Sequence, residues 1–344
     1  MREEICNSGK TGGQKSLTVL KAGGLCSIQD LGRADSQHLG FSAGGAADEH
    51  AYLTANQLLG NDGNAAALEI TLGQLVLRAD CDCTFAITGA DCRASINDQP
   101  IANWQAHPLK TGDILSFSLP PSGLHSYLAV RGGIDAPLWQ GSRSQTLNEL
   151  DLAENQEKIT VNTSIPLTRD CFNPAPGQEA KHRQLISNYE RFYSPGTLTA
   201  RFIPQQLWFS LDGSSRQAFL DAVYTIDRDS NRMGYRLTSS SAGKPEQQAQ
   251  GGSPLSNNLS RAVTFGTIQL PDFHHPIVLM KERQTIGGYP VLGSVMQTDL
   301  FRLSQKRPGE SLRFVPIGLA QAQQQLAGFY RQRMQSHMES AWKR

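Results

Sequence analysis

From residue 16 onward, short apolar runs alternate with polar positions and are cut by Gly, Pro, Asn and Asp. Alternation over four to seven residues predicts strands. In the first half these fall at 17–20, 75–78, 84–87, 94–96, 114–119 and 126–130. Asn97-Asp98-Gln99-Pro100 predicts a hairpin turn between two of them. One segment breaks the pattern: Ala51, Ala55, Leu58 and Leu59 recur at helical spacing, after Asp48 as a cap and before Gly60-Asn61 as a stop. Further strands are expected at 198–203, 262–269, 276–280 and 312–315, and a short helix at 215–223. The Gln- and Ala-rich stretch from Gly318 reads as a terminal helix.

Two features organise these elements. The polar stretch 148–195, with one strand expected near Ile159, separates two strand-rich halves. An internal echo also links them. Lys110-Thr111-Gly112-Asp113-Ile114-Leu115-Ser116-Phe117 and Arg307-Pro308-Gly309-Glu310-Ser311-Leu312-Arg313-Phe314 share one pattern, basic-x-Gly-acidic-x-Leu-x-Phe. The reading is a mainly β chain of 344 residues. It divides into a disordered leader (1–15), an N-terminal β domain (16–147), a connecting segment (148–195), a C-terminal β domain (196–317) and a C-terminal helix (318–344).

Charge narrows the function classes. Lys plus Arg number 32 against 31 acids, so no overall field attracts nucleic acid or an anionic membrane. The longest uncharged stretches, 114–130 and 314–330, are too short and too interrupted to cross a bilayer. The first 15 residues lack the apolar core of a secretion signal. Six scattered cysteines do not form a dense disulfide framework, and Cys81 and Cys83 lack a second ligand pair for zinc. Reduced thiols in the cytoplasm are expected, with no metal site. Ser8-Gly9-Lys10-Thr11 resembles the end of a phosphate-binding loop, but the motif's first glycine would fall on Glu4. The adjacent pair His274-His275 would point to opposite faces of a strand.

Four clusters are richer in polar and glycine residues than folding requires. IQDLGR presents Gln29, Asp30 and Arg33, ahead of Gly44, Gly45 and Asp48. Arg33 there is suited either to grip a carboxylate or phosphate or to close a structural salt bridge. GGIDAPLWQGSRSQT places Ser142, Arg143 and Ser144 after a glycine pair, as an anion site or an interdomain turn. RDSNRMGYRL carries Arg232 and Arg236. GTIQLP, with Gln269, leads through PIVLM into RQTIGGYP, which delivers Gln284, Thr285, Gly287, Gly288 and Tyr289. There an amide, a hydroxyl and a phenol stand beside backbone that a ligand can approach closely.

These runs, in this order over about residues 17–317, resemble the biotin-dependent carboxyltransferase family. That family is also known as allophanate hydrolase subunit two and includes the C component of prokaryotic 5-oxoprolinase. The resemblance implies two cyclophilin-like barrels in tandem. It also implies partners: the other carboxyltransferase half (the B component of a 5-oxoprolinase) and a LamB/YcsF-type A component, in a complex that uses ATP to open 5-oxoproline to glutamate. Biotin enters only in the alternative of carboxyl transfer to urea; a regulatory pairing with the other half is the third reading.

On the oxoprolinase reading, the resemblance implies a groove between domains. Gln284, Thr285 and Tyr289 are its catalytic residues. Gln29, Asp30, Arg33, Ser142, Arg143, Arg232, Gln269, Gly287 and Gly288 bind substrate, with Arg33 or Arg232 holding its carboxylate. The chain departs from the family pattern in three places. Gln145 and the glycine-free run NELDLAENQEK follow GSRS, no glycine lies between Pro271 and Pro276, and Glu282-Arg283 precede the Gln-Thr pair. The first departure removes a loop expected to face the ligand.

Overall fold

The computed structural model describes residues 15–153, 156–172, 193, 196–239 and 259–341. Most of the leader and half of the connecting segment lie outside these residues. The first half contains β1 (Ser16–Lys21), β2 (Cys26–Gln29), β3 (Ala67–Thr71), β4 (Val76–Ala79), β5 (Cys83–Gly89), β6 (Ser95–Ile96), β7 (Gln99–Pro100), β8 (Gln105–Leu109), β9 (Ile114–Ser116), β10 (His125–Val130) and β11 (Ser164–Pro166). One helix, α1 (Glu49–Leu59), lies among them. They form a six-stranded sheet in the order β11-β1-β4-β9-β6-β7 and a five-stranded sheet in the order β2-β3-β10-β5-β8.

Period-2 patterning explains the layering. Leu17, Val19, Leu77 and Leu115 of the first sheet share a core with Leu68, Ile70, Phe85, Ile87, Leu128 and Val130 of the second. Ala86, Tyr127 and Ala129, on the opposite face of the second sheet, pack under α1 with Ala51, Ala55, Leu58 and Leu59. Because β5 and β10 are covered on both faces, all their residues are buried. Helix α1 starts where Asp48 accepts a hydrogen bond from Ala51 N and stops at Gly60, whose φ of 68° suits glycine.

The second half contains β12 (Leu198–Pro204), α2 (Gln206–Ser210), α3 (Gly213–Asp221), β13 (Tyr224–Ile226), β14 (Gly234–Thr238), β15 (Arg261–Ala262), β16 (Thr267–Gln269), β17 (Ile277–Leu279), β18 (Ile286–Gly287), β19 (Val291–Val295), α4 (Gln297–Ser304), β20 (Ser311–Pro316) and α5 (Leu319–Ala341). Seven strands close into a barrel in the order β12-β19-β16-β17-β14-β13-β20, while β15 and β18 form a separate ribbon. Closure joins β12 to β20 in parallel. The barrel core stacks Phe202, Phe219, Tyr224 and Phe314.

The internal echo is real as local geometry. Gly112 and Gly309 adopt φ of 91° and 89°. The acidic side chain after each accepts the basic residue's backbone N–H, at 2.8 Å from Asp113 and 2.7 Å from Glu310. Leu115 and Phe117, like Leu312 and Phe314, then turn into a core. The echo does not extend to the architecture expected from the resemblance: the first turn feeds an open sheet facing another, the second a closed barrel. No strand forms at Ile159; its side chain is buried, and the segment pairs later, through β11.

Polar latches join the halves. Gln305 is clamped between both, its Oε1 accepting from Leu124 N and His125 N and its Nε2 donating to Asp48 and His125 O. Arg307 donates to the carbonyls of Gly123 and Pro120, both at 2.6 Å.

Candidate functional site

The expected site residues fall into three groups around the loop 42–47. The first begins where β2 ends. Gly32, at φ 91°, makes a turn in which a Cβ would lie 2.6 Å from Ala43 O. Asp30, 1% exposed, accepts four hydrogen bonds, from Gly32 N, Ser142 Oγ, Ser144 Oγ and Arg143 N, all at 2.6–2.7 Å. Its carboxylate is therefore committed to folding the 142–144 turn.

Arg33 is buried. It donates to the carbonyls of Trp139, Ser42 and Ser144, and its guanidinium lies 4.5 Å from the Trp139 ring centre. Burial lowers its pKa, against the pull of Glu149, Asp30 and Glu282. These contacts pin the turn in place of the expected grip on a substrate carboxylate. Ser142 and Arg143 serve the same turn, Arg143 donating to Ala136 O. Gln29 donates to Ser27 Oγ and Gln145 O, while its buried Oε1 accepts nothing among the described residues.

The glycine-free run after Gln145 is a built structure. Gln145 accepts from Ile28 N and donates to Glu157 O, both at 2.8 Å. A 3-10 helix follows at Leu147–Leu152, and its Glu149 accepts from Ser42 N at 2.6 Å. The expected loss of a ligand-facing loop is thus a replacement by a hydrogen-bonded turn closing on the loop 42–47.

The second group is an ion network between the halves. Arg232 donates from Nε to Glu282 at 2.5 Å, from Nη1 to Glu69, and from Nη2 to Gly45 O at 2.8 Å. Glu69 also accepts from Tyr127 OH and Ala47 N, at 2.7 and 2.9 Å. Burial disfavours its ionisation, but Arg232 and then His125 hold its carboxyl below the usual value. A second buried pair, Lys281 with Glu49 at 2.5 Å, lies beside the network. The sequence reading gives Arg232 to substrate; the fold gives it to two protein carboxylates, one from each half.

The third group lies on the hairpin carrying β18. Gln284 is exposed, Thr285 half-buried and Tyr289 50% exposed; Gly287 is buried and Gly288 half-buried. Gln269 is 1% exposed, and its Nε2 has no partner among the described residues; a Cβ on Gly287 would lie 2.2 Å from it. The glycine therefore leaves the amide its present position. Arg283, which sequence reasoning leaves out of the site, is 4% exposed, and no carboxylate pairs with it among the described residues. Among the described residues its side chain makes one hydrogen bond, a 3.5 Å contact from Nη1 to Met280 O, and Nε is buried without a partner. Burial alone pulls its pKa down to about 10. A guanidinium with donors left unfilled, on the segment that also carries an exposed amide, a half-buried hydroxyl and an exposed phenol, has the chemistry to bind a carboxylate or an oxyanion.

Two further signals were legible. Glu69 is a lone acid in the apolar run ALEIT, which demands a buried partner, and Arg283 directly precedes the Gln-Thr pair. His274 and His275 do not converge: one meets Ser239 O, the other Asp272. Among the described residues no three His, Cys, Asp or Glu side chains are grouped to hold a metal, and no helix is long and apolar enough to cross a membrane. The five described cysteines are free thiols.

Known proteins place this geometry. The chain is 33% identical to the C component of the 5-oxoprolinase of Escherichia coli (strain K12) over 306 residues, covering 89% of this chain and 93% of that protein. It is 26% identical to the urea amidolyase of Lachancea kluyveri, covering 89% of this chain but only 17% of that protein. The crystal structure of the Kluyveromyces lactis urea carboxylase superposes with a TM-score of 0.78 at 24% identity, over 95% of this chain and 29% of that one. The chain thus spans nearly all of the oxoprolinase component but less than a third of either urea enzyme. The family model for the carboxyltransferase domain, subdomain A and B, matches residues 39–316, and the chain belongs to that family.

Proposed function

We propose that this chain is one component of a multi-subunit, ATP-dependent 5-oxoprolinase that opens the lactam of 5-oxoproline to glutamate. The observation that carries this reading is the match to the C component of 5-oxoprolinase, which is end to end where the urea enzymes match over a fraction of their length. The partners are the other carboxyltransferase half and a LamB/YcsF-type protein, in the cytoplasm. Exposed Ile286 (62%) and Tyr289 (50%) give such a partner an apolar rim to cover. The nucleotide is assigned to the complex, and no residue of this chain is given to it.

In this reading Arg283 takes the carboxylate of 5-oxoproline, because Arg33 and Arg232 are engaged by protein acceptors. Gln284 and Thr285 donate to the lactam oxygen as charge develops on it, and the Tyr289 phenol stands beside them. Asp30, Gln29, Ser142 and Arg143 shape the neighbouring turn, and Gly287 leaves room for the Gln269 amide. The test is Arg283→Gln in the assembled complex. Loss of a charge-assisted bond of ~1.5–3 kcal/mol raises KM for 5-oxoproline roughly 10- to 150-fold. An unchanged KM removes Arg283 from the site.

Carboxyl transfer from a biotinylated carrier is the second reading, favoured by the urea amidolyase match. It predicts biotin-dependent carboxylation of urea by the complex and no glutamate.

A further inference from the structure

Between the two halves lies a cavity of about 280 Å³ that no part of the proposed reaction uses. Leu25, Leu72 and Leu124 line it from the first half, and Ile226, Tyr235 and Met280 from the second. A cavity of ~150 Å³ accepts benzene, so this one has room for a bicyclic molecule. Three cations reach its wall, but each is already paired: Arg232 with Glu69 and Glu282, Lys281 with Glu49, and Lys306 with Glu310. No uncompensated charge faces the space.

One buried polar side chain on the wall keeps a ring nitrogen uncommitted among the described residues. His125 is 4% exposed, and its backbone is fixed on both sides by Gln305. Its Nδ1 lies 3.0 Å from Thr71 Oγ1 and 3.6 Å from Glu69 Oε1, while Nε2 has no partner among the described residues. A carboxylate beside Nδ1 favours the tautomer with its proton there, which leaves the Nε2 lone pair as an acceptor. Burial, with Arg232 nearby, lowers the pKa of the imidazole despite Glu69.

We propose that this inter-half cavity binds a small, neutral, mainly apolar molecule of one or two rings that donates a single N–H or O–H to Nε2 of His125. Because its walls come from both halves, such a ligand also strengthens their association. The inference is independent of the oxoprolinase reading, since none of its residues belongs to the hairpin 283–289.

The experiment uses the full chain with two probes of almost equal bulk, indole and 1-methylindole, which differ in the N–H. Calorimetric titration is expected to show saturable binding of both, with indole preferred about tenfold. His125→Leu removes that preference while apolar binding persists. Leu124→Trp, on a half-buried wall residue, fills the space and abolishes binding of both probes with His125 intact. Nitrogen-15 imidazole shifts read the tautomer directly in the wild-type chain. No saturable binding of either probe, equal affinity for both, binding that survives Leu124→Trp, or a proton found on Nε2 would overturn the proposal. So would tighter binding of indole-2-carboxylate than of indole, which would make the site one for anions. If His125→Leu does not fold, the wild-type preference, the tautomer and Leu124→Trp still decide.

Discussion

Replacing Arg232 with Met removes a guanidinium while keeping most of its volume, so the effect is chiefly electrostatic. It leaves Glu69 (1% exposed) and Glu282 (4%) buried without their cation. Breaking a buried pair by removing one partner costs about 3–5 kcal/mol. For 344 residues the unfolding entropy is about 0.7 kcal/mol per kelvin, so a loss of about 4 kcal/mol lowers Tm by about 6 °C. The sign with pH follows from Glu69. Burial opposes its ionisation, but Arg232 and His125 outweigh burial and hold its pKa below 4.5. Its contribution is therefore complete above pH 4.5 and is lost as pH falls through the folded value. In Arg232→Met the balance at Glu69 reverses, its carboxyl protonates more readily, and the penalty is larger at pH 8 than at pH 5. Urea unfolding at both pH values measures this. Adding Glu69→Gln and Glu282→Gln to Arg232→Met should recover most of the loss. A loss below about 1 kcal/mol at pH 8, or one that does not change with pH, would refute the lock and return Arg232 to the list of substrate ligands.

Other perturbations probe separate links. Burial raises the pKa of Asp48 from 3.8 to about 6, against hydrogen bonds from Tyr193, Gln305 and Ala51. The folded chain then holds a proton the unfolded chain has released, so stability falls by about 3 kcal/mol as pH rises from 3.8 to 6. Asp48→Asn keeps a helix cap and should flatten that slope in urea titrations at pH 4 and 7; an unaltered slope would show that Asp48 is not its source. Gly287→Ala drives a methyl into Gln269 Nε2 and is expected to cut the activity of the complex more than tenfold while Tm moves only a few degrees. Wild-type activity in that variant would free the amide from any role. Arg283→Met removes a buried charge that has no acid partner and should stabilise the isolated chain by about 1–2 kcal/mol while raising KM. A destabilised variant would point to an ordinary structural arginine.

How much of this the sequence disclosed depends on the range of the interactions. Helix α1 was legible because its cap, its stop and its apolar spacing are all local. The turns at Gly112 and Gly309 were legible for the same reason, since each acidic residue hydrogen-bonds three residues back along the chain. Strands β3 and β19, buried on both faces and without alternation, were not, although the equally buried β5 and β10 were. Whether a turn feeds an open sheet or a closed barrel is decided by distant pairings such as β12 with β20, which no local pattern encodes. For the candidate site, composition singled out the hairpin 283–289 and the 28–33 and 142–146 turns. It could not tell a saturated group from a free one. Asp30 and Arg232 looked like ligand residues and proved fully engaged, whereas Arg283, noted only as a departure from the family pattern, keeps donors unfilled. Partner count is a three-dimensional property, and the arginine that lacks acceptors is distinguished only once the chain has folded.

The most direct test of the oxoprolinase reading is glutamate and ADP release from 5-oxoproline and ATP. The complex is made by co-expressing this chain with its genomic neighbours, and the control omits this chain. The account predicts glutamate only when the chain is present, matched by ADP. A stably assembled complex that releases no glutamate, or a control that releases as much without this chain, would contradict it.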